Sequence, residues 1–194
     1  TYSQPTTNLG VEEPVVSLTV SNSGPYCIGD DIQLSASTYP GATYIWYGPN
    51  GYNSLAQNPT IIGASILALG SYEVTVTNVG SCPAISANTD VSVSELADGG
   101  TITGETTLCK TANSGTLTLA GENGQILYWQ ESTSAGGPWA SLNNTLNTLD
   151  FVNLTSTMYY RAIVKSGNCD QDTSNIASIV VDETTLGGNT FGSI

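Results

Sequence analysis

The stretch CIGDDIQLSASTYPGATYIWYGPNG, residues 27–51, decides the fold. Its apolar residues alternate with polar ones through IQLSA and again through TYIWY, the period of a half-buried strand. The intervening Pro40-Gly41 and the closing Asn50-Gly51 are turn chemistry that breaks any helix. Two antiparallel strands follow from this, the later one carrying a large apolar anchor, Trp46.

Outward from this stretch, similar runs recur about every ten residues. VVSLTV, SYEVTVTN and TDVSVSE flank it, and TLTLAG, QILYWQE, TMYYRAIVK and IASIVVDE follow. Gly, Asn, Pro and Ser punctuate the gaps, including Asn123-Gly124, and no segment sustains a helical period. The chain is therefore expected to be all-β.

The two halves also repeat each other. Cys27 precedes Trp46 by nineteen residues and Cys109 precedes Trp129 by twenty. Tyr72 and Tyr160 open the runs YEVTV and YRAIV, which lead into NVGSC and KSGNC. From there the offset is close to 88 residues, pairing Val91 with Ile179 and Glu95 with Glu183. Such self-similarity predicts tandem modules instead of one large sheet. We expect two antiparallel immunoglobulin/fibronectin-III-like β-sandwiches in an elongated arrangement, spanning residues 14–95 and 99–183.

Each module has the grammar of such a sandwich: a core Trp on the third strand and a corner Tyr opening the penultimate one. Trp46, Trp129, Tyr72 and Tyr160 are thus assigned to the cores. Leu154, six residues before Tyr160 in NLTSTMYY, resembles the leucine of the fibronectin type III corner. ALGSY, residues 68–72, resembles the D-x-G-x-Y turn of immunoglobulin domains with Ala68 in place of the aspartate.

CIGDDIQLSASTYPGATYIWYGPNG with GSYEVTVTNVGSC resembles the PKD-like or Ig-like modules of large secreted proteins of the Bacteroidetes. GGTITGETTLCKTANSGTLTLAG with YYRAIVKSGNC is similar to a sister module of those proteins. They include long surface adhesins, gliding adhesins among them, and substrates of type IX secretion. The resemblance implies an extracellular, cell-surface protein in which the modules act as spacers.

Cysteine pairing follows from strand direction. Pairing within modules, Cys27 with Cys82 and Cys109 with Cys169, would close loops of fifty-odd residues, worth roughly 4 kcal/mol each. In a sandwich, however, the second and sixth strands run the same way. The first cysteine precedes the second strand and the other follows the sixth, which sets them at opposite ends, about 20 Å apart, whereas a disulfide needs Cα atoms within about 7 Å. In a head-to-tail array Cys27 meets Cys169 across the linker at ELADGG. A disulfide between modules is the preferred pairing, the within-module pairs are the alternative, and Cys82 and Cys109 then await neighbouring modules.

Composition narrows the function. Sixteen acids face three bases, a formal charge of −13, and only 10% of residues are charged. Neither nucleic acid nor an anionic membrane finds the cations it needs here. Histidine is absent, which excludes a Ser-His-Asp triad and histidine metal sites. No phosphate-binding glycine loop occurs. Paired carboxylates remain the one catalytic option, but a small sandwich offers no cleft for them. We expect no enzymatic activity and no cofactor.

Asp30, Asp31, Glu95, Asp98, Asp170 and Asp172 gather near the predicted junction, and hard oxygen donors of this kind suit calcium. The alternative is that they are turn residues satisfying backbone donors. Trp139 in GGPWASL, with Tyr47 and Tyr52 around GPNGY, lie near turns and are candidates for a carbohydrate surface. Asn143 and Asn153 stand in N-x-T triplets.

The expected function is a non-enzymatic stalk or spacer in a surface adhesin, its partners being neighbouring modules of the same chain. The alternatives are modules that themselves bind a glycan or protein, or accessory modules of a secreted polysaccharide-degrading enzyme. The ends fit an array: residues 1–13 read as a segment or linker from a preceding module. In ETTLGGNTFGSI, Gly187-Gly188 and Gly192 match Gly99-Gly100 and Gly104, so residues 184–194 read as a linker and the start of a following module.

Overall fold

A computed structural model of the chain describes residues 17–77, 83–110 and 112–182. The expectations for residues 1–13 and 184–194, and for Cys82, lie outside the described residues.

The first half contains β1 (Val20–Asn22), β2 (Tyr26–Cys27), β3 (Ile32–Ala36), β4 (Thr43–Tyr47), β5 (Asn53–Ser54), β6 (Thr60–Ile61), β7 (Gly70–Thr77), β8 (Ile85–Val91) and β9 (Val93–Ser94). One sheet has the order β1-β3-β6 and the facing sheet β5-β4-β7-β8, while β2 runs parallel to β9. The alternation read from the sequence is the alternation of burial. Ile32, Leu34 and Ala36 point inward from β3, Tyr44 and Trp46 from β4, with polar neighbours outward except for Ile45 and Tyr47.

The second half repeats the scheme with β10 (Thr101–Thr103), β11 (Thr106–Cys109), β12 (Ser114–Ala120), β13 (Gln125–Ser132), β14 (Ala140–Leu142), β15 (Thr148–Val152), β16 (Met158–Lys165), β17 (Gln171–Thr173) and β18 (Ala177–Asp182). Its sheets are β10-β12-β15 and β11-β18-β16-β13-β14, with β17 also pairing β16 and β11 parallel to β18. A bulge between Ile126 and Tyr128 resets the alternation of β13, so Ile126 and Trp129, three residues apart, both face the core. Among the described residues there is no α-helix, only two single 3-10 turns. The chain is all-β, as two immunoglobulin-like sandwiches.

Each half closes around its own core. Trp46 and Trp129 are fully buried, and each indole N–H finds a backbone carbonyl, Gln57 O at 3.2 Å and Leu146 O at 2.9 Å. This is what burying a Trp demands, since an unpaired N–H would cost about 1–3 kcal/mol. Both corner tyrosines are buried. Tyr72 donates its hydroxyl to Ala68 O at 2.9 Å, so the backbone of the residue replacing the aspartate serves the corner.

Leu154 is half-buried against the second core. Its backbone is held at both ends by buried Asn113, whose Oδ1 accepts from Leu154 N at 2.7 Å and whose Nδ2 donates to Leu154 O at 2.8 Å. Burial raises the Tyr160 phenol to about 12, helped by the Glu131 carboxylate opposite it on β13. Burial also raises Tyr72, with Tyr52 adding to it.

Candidate functional site: the junction between the modules

The junction is built from four pieces: the end of β2, the linker after β9, the turn between β12 and β13, and the turn between β16 and β17. Cys27, at the end of β2, forms a disulfide with Cys169, in the turn after β16, with Cα atoms 5.5 Å apart. The preferred pairing is thus the one adopted. Bonded to each other, Cys27 and Cys169 are not available to the within-module pairs, and Cys109 is left as a free thiol.

Around the bridge the two modules touch closely. Ser94 O accepts from Ile28 N at 2.9 Å, extending the β2/β9 pairing, and lies 3.8 Å from Cys169 Sγ. Gly167 has φ +51°, and a Cβ there would run into the Ser94 hydroxyl. The turn after β16 can approach β9 this closely because residue 167 has no side chain.

The linker itself is pinned on the other side. Asp98 and Asn123 form an isolated antiparallel bridge, Asp98 N to Asn123 O at 3.1 Å and Asn123 N to Asp98 O at 3.0 Å. The Asn123 side chain adds a bond to Leu96 O at 2.8 Å and a longer one to Glu95 Oε2 at 3.4 Å. Gly99 N donates to Asp172 Oδ2 at 2.9 Å, and Gly100 N to Asp98 Oδ1 at 2.8 Å. Gly99 is buried against the backbone of Thr173 and Ser174, where any Cβ would collide.

A hinge needs residues free to change φ and ψ. Here the backbone N–H groups of three consecutive linker residues are committed to bonds. A single linker permits bending in any direction, whereas a covalent bridge beside it leaves only rocking about the line joining the two. Asn123 opposes that rocking, since the linker cannot move against the second module without breaking its bonds.

The acidic residues lie between β2 and β3, in the linker, and in and just before β17. Asp30 Oδ2 accepts from Cys27 N at 2.7 Å and Asp31 Oδ1 from Gly63 N at 2.9 Å. Asp98 and Asp172 accept from linker amides and Glu95 from Asn123, while Asp170 is exposed beside Cys169. Among the described residues, no three His, Cys, Asp or Glu side chains come together in a way that could hold a metal ion.

The three aromatic candidates are not one platform. Tyr52 packs edge-on against core Tyr72, with ring centroids 5.5 Å apart. Trp139, half-buried in the other module, carries the Arg161 guanidinium 4.2 Å above its ring, and Gln130 Oε1 fixes that arginine at 2.7 Å. Tyr47 is exposed and borders a shallow groove of about 530 Å³ lined by Ser71, Glu73, Ser86 and Asn88.

Sequence reasoning missed Asn123, Gly167 and Asn113. Asn123-Gly124 was readable as a turn. That a side chain of this turn also binds the linker had no local signal.

Residues 98–183 match the model of a domain family of unknown function, DUF8696. No curated protein matches the chain. Among solved structures, the three N-terminal domains of the highly immunogenic outer capsid protein (Hoc) of bacteriophage RB49 are similar, with a TM-score of 0.59 and 13% identity. That match covers 87% of this chain and 70% of that one. The titin I-band fragment I67–I69 gives 0.59 and 12%, over 86% of this chain and 65% of that one. Extracellular domains 3–5 of Drosophila OTK give 0.58 and 14%, over 86% and 62%. These likenesses establish the fold: the chain consists of tandem immunoglobulin-like modules.

Proposed function

We propose that the two modules are a rigid spacer in a large extracellular bacterial surface protein, an adhesin that holds a binding element away from the cell. The observation that carries this reading is the Cys27–Cys169 bridge across the junction, joined there by a linker whose amides are tied down. A protein needing only two linked domains has no use for such a clasp. A stalk does, because bending at each junction shortens its reach.

A disulfide that persists suits an oxidising compartment, and the paucity of cations suits a surface that avoids adventitious anionic partners. Among the described residues no helix is long and apolar enough to cross a membrane. The serial domains of the phage outer capsid protein and of the titin fragment have the same tandem fold. The reading includes no enzymatic activity and no cofactor, so a chelator leaves the unfolding temperature unchanged.

The test is replacement within the parent protein. An unrelated pair of immunoglobulin-like modules of equal length preserves adhesion if this pair is a spacer, whereas a Gly/Ser linker of equal contour length abolishes it. Loss of adhesion with both replacements would contradict the spacer and favour a second reading, in which the groove beside exposed Tyr47 holds a ligand.

A further inference from the structure

Cys109 is a free, exposed thiol at the end of β11. Its place in the second module is the place of Cys27 in the first. Cys27 ends a short strand parallel to the last strand of its module, in the register Tyr26↔Val93 and Cys27↔Ser94. Cys109 ends the matching strand, in the register Leu108↔Val181 and Cys109↔Asp182. Both cysteines therefore sit beside the final strand, at the end of the module from which the chain departs.

The backbone at each position is fixed by the turn that follows. The Asp30 carboxylate accepts from Cys27 N at 2.7 Å, and buried Asn113 donates to Cys109 O at 2.9 Å. Asn113 is held in turn by both polar groups of Leu154, so Cys109 is presented on a rigid support. Cys169 cannot be its partner: it is already bonded, and it lies at the opposite end of β16, which spans about 26 Å at strand rise.

We propose that Cys109 forms the next clasp of the array, a disulfide with a cysteine of a following immunoglobulin-like module at the place Cys169 holds in this one, the turn after the strand equivalent to β16. The Cys27–Cys169 bridge supplies the template for this second bond, in both position and partner. Its sequence separation of 142 places the new partner about 140 residues beyond Cys109 in the parent chain.

The bond forms by exchange with the disulfide of a thiol-oxidising protein. The Cys109 thiolate attacks that disulfide and gives a mixed disulfide. The partner thiolate then displaces the oxidant, which leaves as a dithiol with the two electrons and two protons of the former thiols. The inference rests on the spacer reading and deepens it, because clasps at successive junctions make a continuous rod.

Peptide mapping of the native full-length protein without reduction tests it. The expected result is a cross-linked peptide joining Cys109 to a cysteine about 140 residues downstream. A Cys109 alkylated without reduction, one joined to Cys82, or a parent chain with no cysteine near that position would each overturn the inference. In the full-length protein, Cys109→Ser is expected to loosen the junction after the second module while leaving that module's own unfolding temperature unchanged; a fall in that temperature, or an unloosened junction, overturns the clasp. If Cys109 proves free while replacement by the Gly/Ser linker still abolishes adhesion, this inference falls and the spacer reading stands.

Discussion

Gly167 of the second module lies so close to Ser94 of the first that a methyl group at residue 167 would overlap the Ser94 hydroxyl. Two sandwiches with separate cores are thereby brought into contact, a backbone turn of one against the Ser94 side chain of the other, beside the disulfide that joins them. The contact makes the junction a packed interface in miniature, and its consequences are measurable.

Gly167→Ala is expected to destabilise the junction beyond the cost of its left-handed backbone. That backbone cost alone is about 1 kcal/mol. Gly121→Ala is the control, since it shares a positive φ of +77° but its Cβ would meet open space. Both variants lower the unfolding temperature, but only Gly167→Ala also speeds reduction of Cys27–Cys169 by a mild thiol. Equal reduction rates would show that the close approach does not guard the bridge.

Tyr72→Phe removes the bond from the corner hydroxyl to Ala68 O. The expected loss is about 1 kcal/mol in denaturant titration, the usual worth of one such bond. Tyr47→Phe, on an exposed ring, stays within about 0.5 kcal/mol of the parent.

Alkaline pH weakens the second module through Tyr160. Its phenol is raised to about 12 in the folded state, against about 10 when unfolded. The folded state thus favours the neutral form, so this contribution is complete below pH 10 and is lost as pH rises from 10 towards 12. Thermal unfolding between pH 9 and 11 is expected to fall more steeply for the parent chain than for Tyr160→Phe. Parallel slopes would remove Tyr160 as the cause.

Much of this was legible in the residues themselves. Alternation around Trp46 and Trp129 identified strands and their inward faces, because the pleat puts every second side chain on one side. The bridge between Cys27 and Cys169 was preferred from strand direction and head-to-tail stacking, properties of the fold and not of local chemistry. What was not legible depends on contacts between segments far apart in the chain. Asn123 reads as half of a turn signal, and only the docking of two modules makes it a linker clamp. Trp139 looked like a ring near a turn; its cover, Arg161, lies on β16, which with β14 flanks β13. The acids were expected to gather at the junction, yet Asp30, Asp31, Asp98 and Asp172 each accept from a different backbone amide.

The central claim is that the clasped junction makes two modules move as one body. Nitrogen-15 relaxation on the 194-residue chain, oxidised and as the Cys27→Ser/Cys169→Ser double variant, tests it most directly. The account predicts that amides of both modules in the oxidised chain fit one anisotropic diffusion tensor. In the variant the modules should separate into two, with shorter correlation times. Two independent tensors in the oxidised chain, or identical tumbling with and without the bridge, would contradict it.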